Sequence, residues 1–239
     1  MMNTGFRIHS VFYFNFLESL LHHYLETYKS VNFIQIGAND GKRFDPIYEF
    51  VKYNGTRVKG YVVEPVKDYY EDLCANYKNH PNIMPLNVAI HNTLQETSIY
   101  KVGKAFESMV PEFALGIASF DKNHHKKTHI PSEYIIEEKV KCMSLEIMIE
   151  TYQIKQLDVL ILDAEGYDYE ILMQIDYKKV TPAIIHFEHG LKTGTMTKNQ
   201  FDELKVVLQS NNYQLFVDTG DVTAYKLDIF FNTASVENS

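Results

Sequence analysis

Two short stretches hold the residues best suited to chemistry: Phe33-Ile34-Gln35-Ile36-Gly37-Ala38-Asn39-Asp40-Gly41 and Gly60-Tyr61-Val62-Val63-Glu64-Pro65. Each reads as an apolar strand that ends in a polar turn. Gly37 and Gly41 bracket the first turn and let backbone approach a ligand without a Cβ clash. Glu64 ends the second strand, where a carboxylate can take both hydroxyls of a ribose. A strand, a glycine turn, a helix and a second strand ending in an acid make a nucleotide-binding βαβ half. Ala38, Asn39 and Asp40 fill the turn, so the dinucleotide fingerprint G-x-G-x-x-G is not met, and Asp40 would repel a pyrophosphate. A ligand with a ribose, an amino acid and a positive centre suits the turn better, which points to S-adenosylmethionine (SAM). A generic βα turn has the same glycine spacing, so the first turn alone does not separate the two readings.

Ligands of open α/β sheets gather at the carboxyl ends of the strands. The next such ends read Asn87-Val88-Ala89, Asp163-Ala164-Glu165-Gly166 and Glu188-His189-Gly190. A lone acid there is commonly a helix N-cap, which fits Asp168 and Asp176. Asp163, Glu165 and Glu188 cluster on neighbouring strands and point to function. Methyl transfer from a sulfonium is an in-line displacement, and alignment alone can supply on the order of 7–11 kcal/mol. A hydroxyl acceptor also needs a base, worth roughly 10²–10⁴-fold. His189 and Glu188 are the expected bases, with Asp163 orienting the acceptor. His189 also reads as a strand-end histidine capping backbone. His124, next to His125, reads as part of a polar loop or as a lid residue closing over substrate. Tyr167, Tyr169 and Phe44 adjoin the motifs and are candidates for the acceptor pocket. Several acids with a histidine can hold a divalent ion, but no H-E-x-x-H or similar motif occurs and no metal ligand is assigned.

The elements that must position these residues alternate. Strand-like runs fall at 32–36, 60–64, 83–89, 159–163, 184–188, 213–217 and 223–227, with helical patterns at 46–53, 67–77, 145–152, 169–175 and 199–210. That alternation implies parallel crossovers and a sheet covered on both faces. The last two runs are separated only by Asp218-Thr219-Gly220-Asp221, a hairpin-length loop, so one antiparallel strand is expected at the end. The segment 95–141 breaks the pattern. It carries Pro111, Gly116, Pro131 and one edge strand, 98–102, and is expected to be a partly ordered lid.

A chain of 239 residues suits one α/β domain. The expected division is an amphipathic N-terminal helix within 1–31 (residues 14–28), a catalytic domain 32–231 and a polar, frayed tail 232–239. Hydrophobic residues make up 45% and charged residues 23%, as in soluble globular proteins. The net charge of −8 argues against a nucleic-acid backbone as partner. The basic run 122–127 reads as a solvated loop. Cys74 and Cys142 have no paired spacing, which suggests a reducing compartment. Asn15 and Glu18 interrupt the apolar N-terminal run, so neither a signal peptide nor a membrane span is expected, and the protein is placed in the cytoplasm.

FIQIGANDG, GYVVEP, LDVLILDAEGYDYEIL and IIHFEHG resemble, in order and spacing, the FkbM-type SAM-dependent methyltransferases. The resemblance runs from about 32 to 227, and GIASFDKNH and VKCMSLE are similar to that family's lid and linker. It implies a Rossmann-like class I methyltransferase fold: α/β, a mostly parallel seven-stranded sheet with an antiparallel C-terminal hairpin strand. It also implies O-methylation of sugars or other small hydroxylated acceptors in glycan or natural-product biosynthesis. By the match, Gly37, Ala38, Asn39, Asp40 and Gly41 wrap the methionine part of SAM and Glu64, followed by Pro65, binds the ribose. Asn87 and Ala89 flank the adenine. Asp163 and Glu165 stand beside the transferring methyl, and Glu188, His189 and His124 match family positions. Glu165, His124 and Tyr167 are the expected acceptor contacts. Ala164 stands where many members have Val or Thr. A non-catalytic SAM-binding scaffold is the competing reading. An NAD-dependent oxidoreductase fails on the missing third glycine. The acceptor and the oligomeric state are not specified by the match.

Overall fold

The computed structural model describes residues 15–43 and 45–231. The expected helix start at Phe14, the pocket candidate Phe44 and the tail 232–239 lie outside the described residues. Helix α1 (Phe16–Tyr28) leads into β1 (Val31–Ile36), α2 (Tyr48–Asn54), β2 (Val58–Val63), α3 (Lys67–Tyr77) and β3 (Ile83–Leu86). A second group follows: β4 (Ala89–Ile90), β5 (Glu96–Val102), β6 (Ala118–Ser119), the single-turn α4 (His124–Lys127) and β7 (Ile135–Met143). The chain returns through α5 (Leu145–Thr151), β8 (Val159–Leu162), α6 (Asp168–Met173), β9 (Ile184–Glu188), α7 (Lys198–Ser210), β10 (Tyr213–Val217) and β11 (Asp221–Lys226).

The main sheet has the order β10-β11-β9-β8-β1-β2-β3. Its pairings are parallel except those of β11, which runs antiparallel to both β9 and β10. Successive side chains of a strand point to opposite faces. Val31, Phe33, Val159, Ile161 and Ile184 therefore meet α1, α2 and α3 on one face. Ile34, Ile36, Leu160, Leu162, Ile185 and Phe187 meet α5, α6 and α7 on the other. This two-sided burial is why β8 reads as an unbroken apolar run.

Helix α1 starts where the Asn15 side chain accepts the Glu18 N–H, and it ends at Lys29 in the left-handed region. Leu17, Leu20, Leu21, Tyr24 and Leu25 form its buried stripe, at helical spacing. The Tyr24 hydroxyl donates to Asp158 (2.8 Å), whose other oxygen accepts the backbone and side-chain N–H of Asn32. That knot ties α1 to the entrance of β1, on its own domain.

Three boundaries differ from the sequence reading. The third strand stops at Leu86, because Asn87 turns to donate its amide to the carbonyls of Glu64 and Pro65, 2.9 Å each. The chain then joins a second sheet, β4-β7-β5-β6. The expected lid therefore begins and ends in β-structure, since β5 pairs antiparallel with β7 from Glu96–Lys141 to Val102–Ile135. The stretch expected as a linker begins in β7, whose partly exposed residues form no continuous apolar run. Finally, the last strand does not lie at the sheet edge; β11 inserts between β9 and β10.

Candidate functional site

Register across the sheet builds the floor of the site. Gln35, Ile161, His186 and Thr223 are successive cross-strand partners in one row. Two residues further along, the same face carries Glu64, Gly37, Asp163, Glu188 and Asp221, with Glu188 and Asp221 directly opposite each other. Here the helical cover of the face gives way to a cavity of about 500 Å³, a size typical of small-ligand sites. The second sheet and its turns supply the facing wall through Phe113, Ile117, Ala118, Phe120 and His124.

The glycine turn divides its residues between two tasks. Gly37, Ala38 and Asn39 line the cavity. Gly37 has φ +78°, and a Cβ there would lie 1.9 Å from the Asp163 carbonyl, so only glycine lets the ends of β1 and β8 close together. The N–H groups of Gly37 and Ala38 both donate to the Val63 carbonyl. Asp40 does not line the cavity. Its carboxylate accepts the N–H groups of Lys42 and Arg43 and the Arg43 side chain at 2.6 Å, closing the turn. Gly41 also faces away, where a Cβ would meet Leu73 and Tyr77 of α3.

Glu64 and Pro65 line the cavity beside the turn. The Glu64 carboxylate accepts the N–H of Asn39 (2.9 Å) and of Val66 (2.8 Å). Burial pushes its pKa up to about 7 against the pull of those two hydrogen bonds. Ala89 lines the cavity with Val88 and Ile99, whereas Asn87 holds backbone behind it.

At the other end the carboxyl groups crowd. Burial, then Glu188, Asp221 and Asp45, push Asp163 up to about 7. Burial and Asp221 raise Glu188. Burial and the neighbouring acids hold Glu165 well above the usual carboxylate range, and burial lowers His124, 3.4 Å away, so both partners favour their neutral forms. Ser119 donates to the Glu165 carbonyl at 2.8 Å, tying the lid wall to the DAEG loop. Asp168 lies deeper, accepting the Ala164 N–H at 3.1 Å as α6 begins.

Two expected residues stand elsewhere. His189 is buried outside the cavity, one ring nitrogen 3.1 Å from the Asp218 carbonyl and the other accepting the Leu191 N–H. Both nitrogens are used to tie the final hairpin, which removes His189 as a base. Tyr167 stacks on His91 and meets Phe120 edge-on, so it backs a wall residue without reaching the cavity. Tyr169 donates to Glu203 on the outer surface.

The cavity also holds residues that the sequence reading missed: Gln35, Arg43, Asp45, His186, Thr193, Thr195 and Asp221. Gln35 donates to Asp45 at 2.8 Å, and its own carbonyl oxygen is buried without a partner. The His186 Nδ1 lies 3.0 Å from the Thr223 hydroxyl, and burial lowers its pKa. Period-two alternation was the available signal: His186 shares a strand face with Glu188, and His189 does not.

A sequence model described as the methyltransferase FkbM domain matches residues 35–215. No curated protein sequence matches the chain. Among solved structures, Aeropyrum pernix fibrillarin in complex with natively bound SAM is 12% identical, over 82% of this chain and 66% of that one, with a TM-score of 0.42. This chain thus spans just under two thirds of that fibrillarin. A precorrin-6y C5,15-methyltransferase from Geobacter metallireducens is 11% identical, over 87% and 88%, at 0.42. A human methyltransferase 10 domain containing protein is 10% identical, over 87% and 80%, at 0.43.

Proposed function

The chain belongs to the methyltransferase FkbM family, a SAM-dependent methyltransferase, and we propose that it methylates a hydroxyl of a sugar or another small hydroxylated compound. The observation that carries this reading is one continuous cavity joining Gly37 and Glu64 to His186 and Glu188. We assign its Glu64 end to the donor and its Glu188 end to the acceptor.

The residues present suit the donor. Glu64 keeps lone pairs for ribose hydroxyls beyond the two it gives to backbone N–H groups. Val88, Ala89 and Ile99 offer an apolar wall for a purine. Gly37, Ala38 and Asn39 leave room for the methionine part. When bound, SAM supplies an electrophilic methyl on a sulfonium. The chain's own work is then alignment and proton removal. His186 takes the proton from the acceptor hydroxyl, with Thr223 holding its other nitrogen. Asp163 orients the acceptor. We assign no metal to the step: among the described residues no three His, Cys, Asp or Glu are grouped to hold one.

No described helix is long and apolar enough to cross a membrane. We place the reaction in the cytoplasm, on a glycan or natural-product precursor. Calorimetric titration with SAM and S-adenosylhomocysteine, with NAD as control, tests the donor assignment. Binding of both sulfur ligands and not of NAD supports it; binding of neither removes it. Transfer of labelled methyl to hydroxylated sugars then tests the acceptor class. Donor binding with no transfer to any of them would favour the scaffold reading.

A further inference from the structure

Resting on that methyltransferase reading, we propose that Lys101 is a positioning residue for the donor: its buried ammonium fixes the turn that carries Glu64 and sets a positive charge behind that carboxylate. Among the described residues Lys101 is the only buried Lys or Arg, with 4% of its surface exposed. Burying an ammonium is costly unless it is paired. Two carboxylates from different elements pair it, Asp68 of α3 and Glu138 of β7, each 3.4 Å from Nζ. The same Nζ stands 4.9 Å from the centroid of the Tyr69 ring, a cation–π contact.

Strand pairing brings this knot to the site. Ile99 and Lys101 share one face of β5, and Glu138 of β7 lies directly opposite Ile99. On that face Ile99, Val140 and Cys142 pack against Val66, Tyr69 and Ala89, and Ile99 lines the cavity. The Glu138 carboxylate divides its oxygens: one accepts the Lys67 N–H at 3.1 Å, and the other meets Lys101. Lys67, Asp68 and Tyr69 open α3, so the second sheet holds the start of that helix at three successive residues. Glu64 is joined to the same turn, since its carboxylate accepts the Val66 N–H at 2.8 Å. Any shift in the first turn of α3 is therefore a shift of Glu64.

Charge follows the same geometry. Burial raises the Glu64 pKa, the Val66 and Asn39 N–H groups and then Lys101 lower it, and Asp163 raises it. Lys101 supplies the positive charge in that balance. The groups around Lys101 are Asp68 and Tyr69 from α3, Glu138 from β7 and Glu64 from the end of β2, with Asp163 acting on Glu64 from the end of β8. Glu107 and Arg43 act on Tyr69 in turn. Ribose hydroxyls donate to an ionised carboxylate, which offers acceptors only. A cation behind Glu64 favours that ionised form, and so favours the donor.

Calorimetric titration with S-adenosylhomocysteine across neutral pH, on wild type and Lys101→Met, tests this. Wild-type affinity is expected to fall on the acid side as Glu64 takes up a proton. Lys101→Met should move that fall to higher pH, weakening binding about fivefold near pH 7 and less than about twofold near pH 8.5. A knot that serves folding alone would give a loss of the same size at every pH, and that result overturns the proposal. So does an unmoved profile. If Lys101→Met does not melt cooperatively, Glu138→Gln decides. Its side chain is partly exposed, its amide oxygen still accepts the Lys67 N–H, and removing one acid beside Lys101 should move the fall to lower pH. An unmoved fall there overturns the proposal as well. Failure of the wild-type protein to bind S-adenosylhomocysteine at any pH removes the methyltransferase reading itself, and this proposal with it.

Discussion

The hydroxyl of Thr223 lies 3.0 Å from Nδ1 of His186, directly across an antiparallel strand pair. Thr223 is buried, and no described residue bonds the Nε2 of His186. The ring is thereby oriented by one nitrogen and left with the other for the cavity. Burial lowers its pKa, opposed by Asp221, so the imidazole favours the neutral, proton-accepting form.

His186→Gln should lower kcat by roughly 10²–10⁴-fold and leave binding of S-adenosylhomocysteine unchanged. Thr223→Val should lower kcat less, because the ring remains but loses its tether. Wild-type kcat should fall on the acid side as His186 protonates, and His186→Gln should lose that limb. Pre-steady-state transfer of labelled methyl measures all three. An unchanged kcat in His186→Gln would return the role of base to Glu188.

Glu64→Ala should weaken SAM and also lower the melting temperature. The substitution leaves the N–H groups of Asn39 and Val66 unpaired in a buried turn, at about 1–3 kcal/mol for each orphaned group. Calorimetry and thermal melting separate the two effects. Undiminished SAM affinity in a folded Glu64→Ala would sink the ribose assignment.

Gly37→Ala should cost roughly 2–6 kcal/mol, the sum of left-handed strain and a backbone clash, since its Cβ would sit 1.9 Å from the Asp163 carbonyl. Gly55 provides the control. It also has positive φ, but nothing lies within 4 Å of an added Cβ. Gly55→Ala should therefore cost only the strain of its backbone conformation, about 1–3 kcal/mol. Equal losses in chemical denaturation would mean that close approach of β1 and β8 does not matter.

The ligand-free protein should lose stability as pH rises from about 5 to about 8. Glu64 and Asp163 titrate near 7 when folded, against 4.5 and 3.8 as unperturbed groups. Between those values the folded state binds more protons than the unfolded one, so stability falls with pH and the penalty is complete above 7. The lowered His124 and His186 act in the opposite sense below their ordinary 6.5. The acids, raised also at Asp45, Glu165, Asp168 and Glu188, outweigh them. Melting temperature against pH measures the slope, and Asp163→Asn should flatten it. A rising curve would mean that these acids gain cations in the native state.

By itself the sequence determined what is written in local pattern. The apolar run at β8 identifies a buried central strand, because two-sided burial leaves no polar face. The glycine turn and Glu64 are legible for the same reason, since a turn and the strand end it touches are set by neighbours in the chain. Tertiary structure decided the rest. His189 adjoins Glu188 in sequence yet points to the opposite face, whereas His186, two residues away, shares the open face. Asp221 joins Glu188 only because β11 inserts beside β9. Strand β7 escaped notice because it is partly exposed and forms no continuous apolar run. Which polar groups meet in one cavity depends on register between distant strands and on where the helical cover ends, and neither is encoded in any local run of residues.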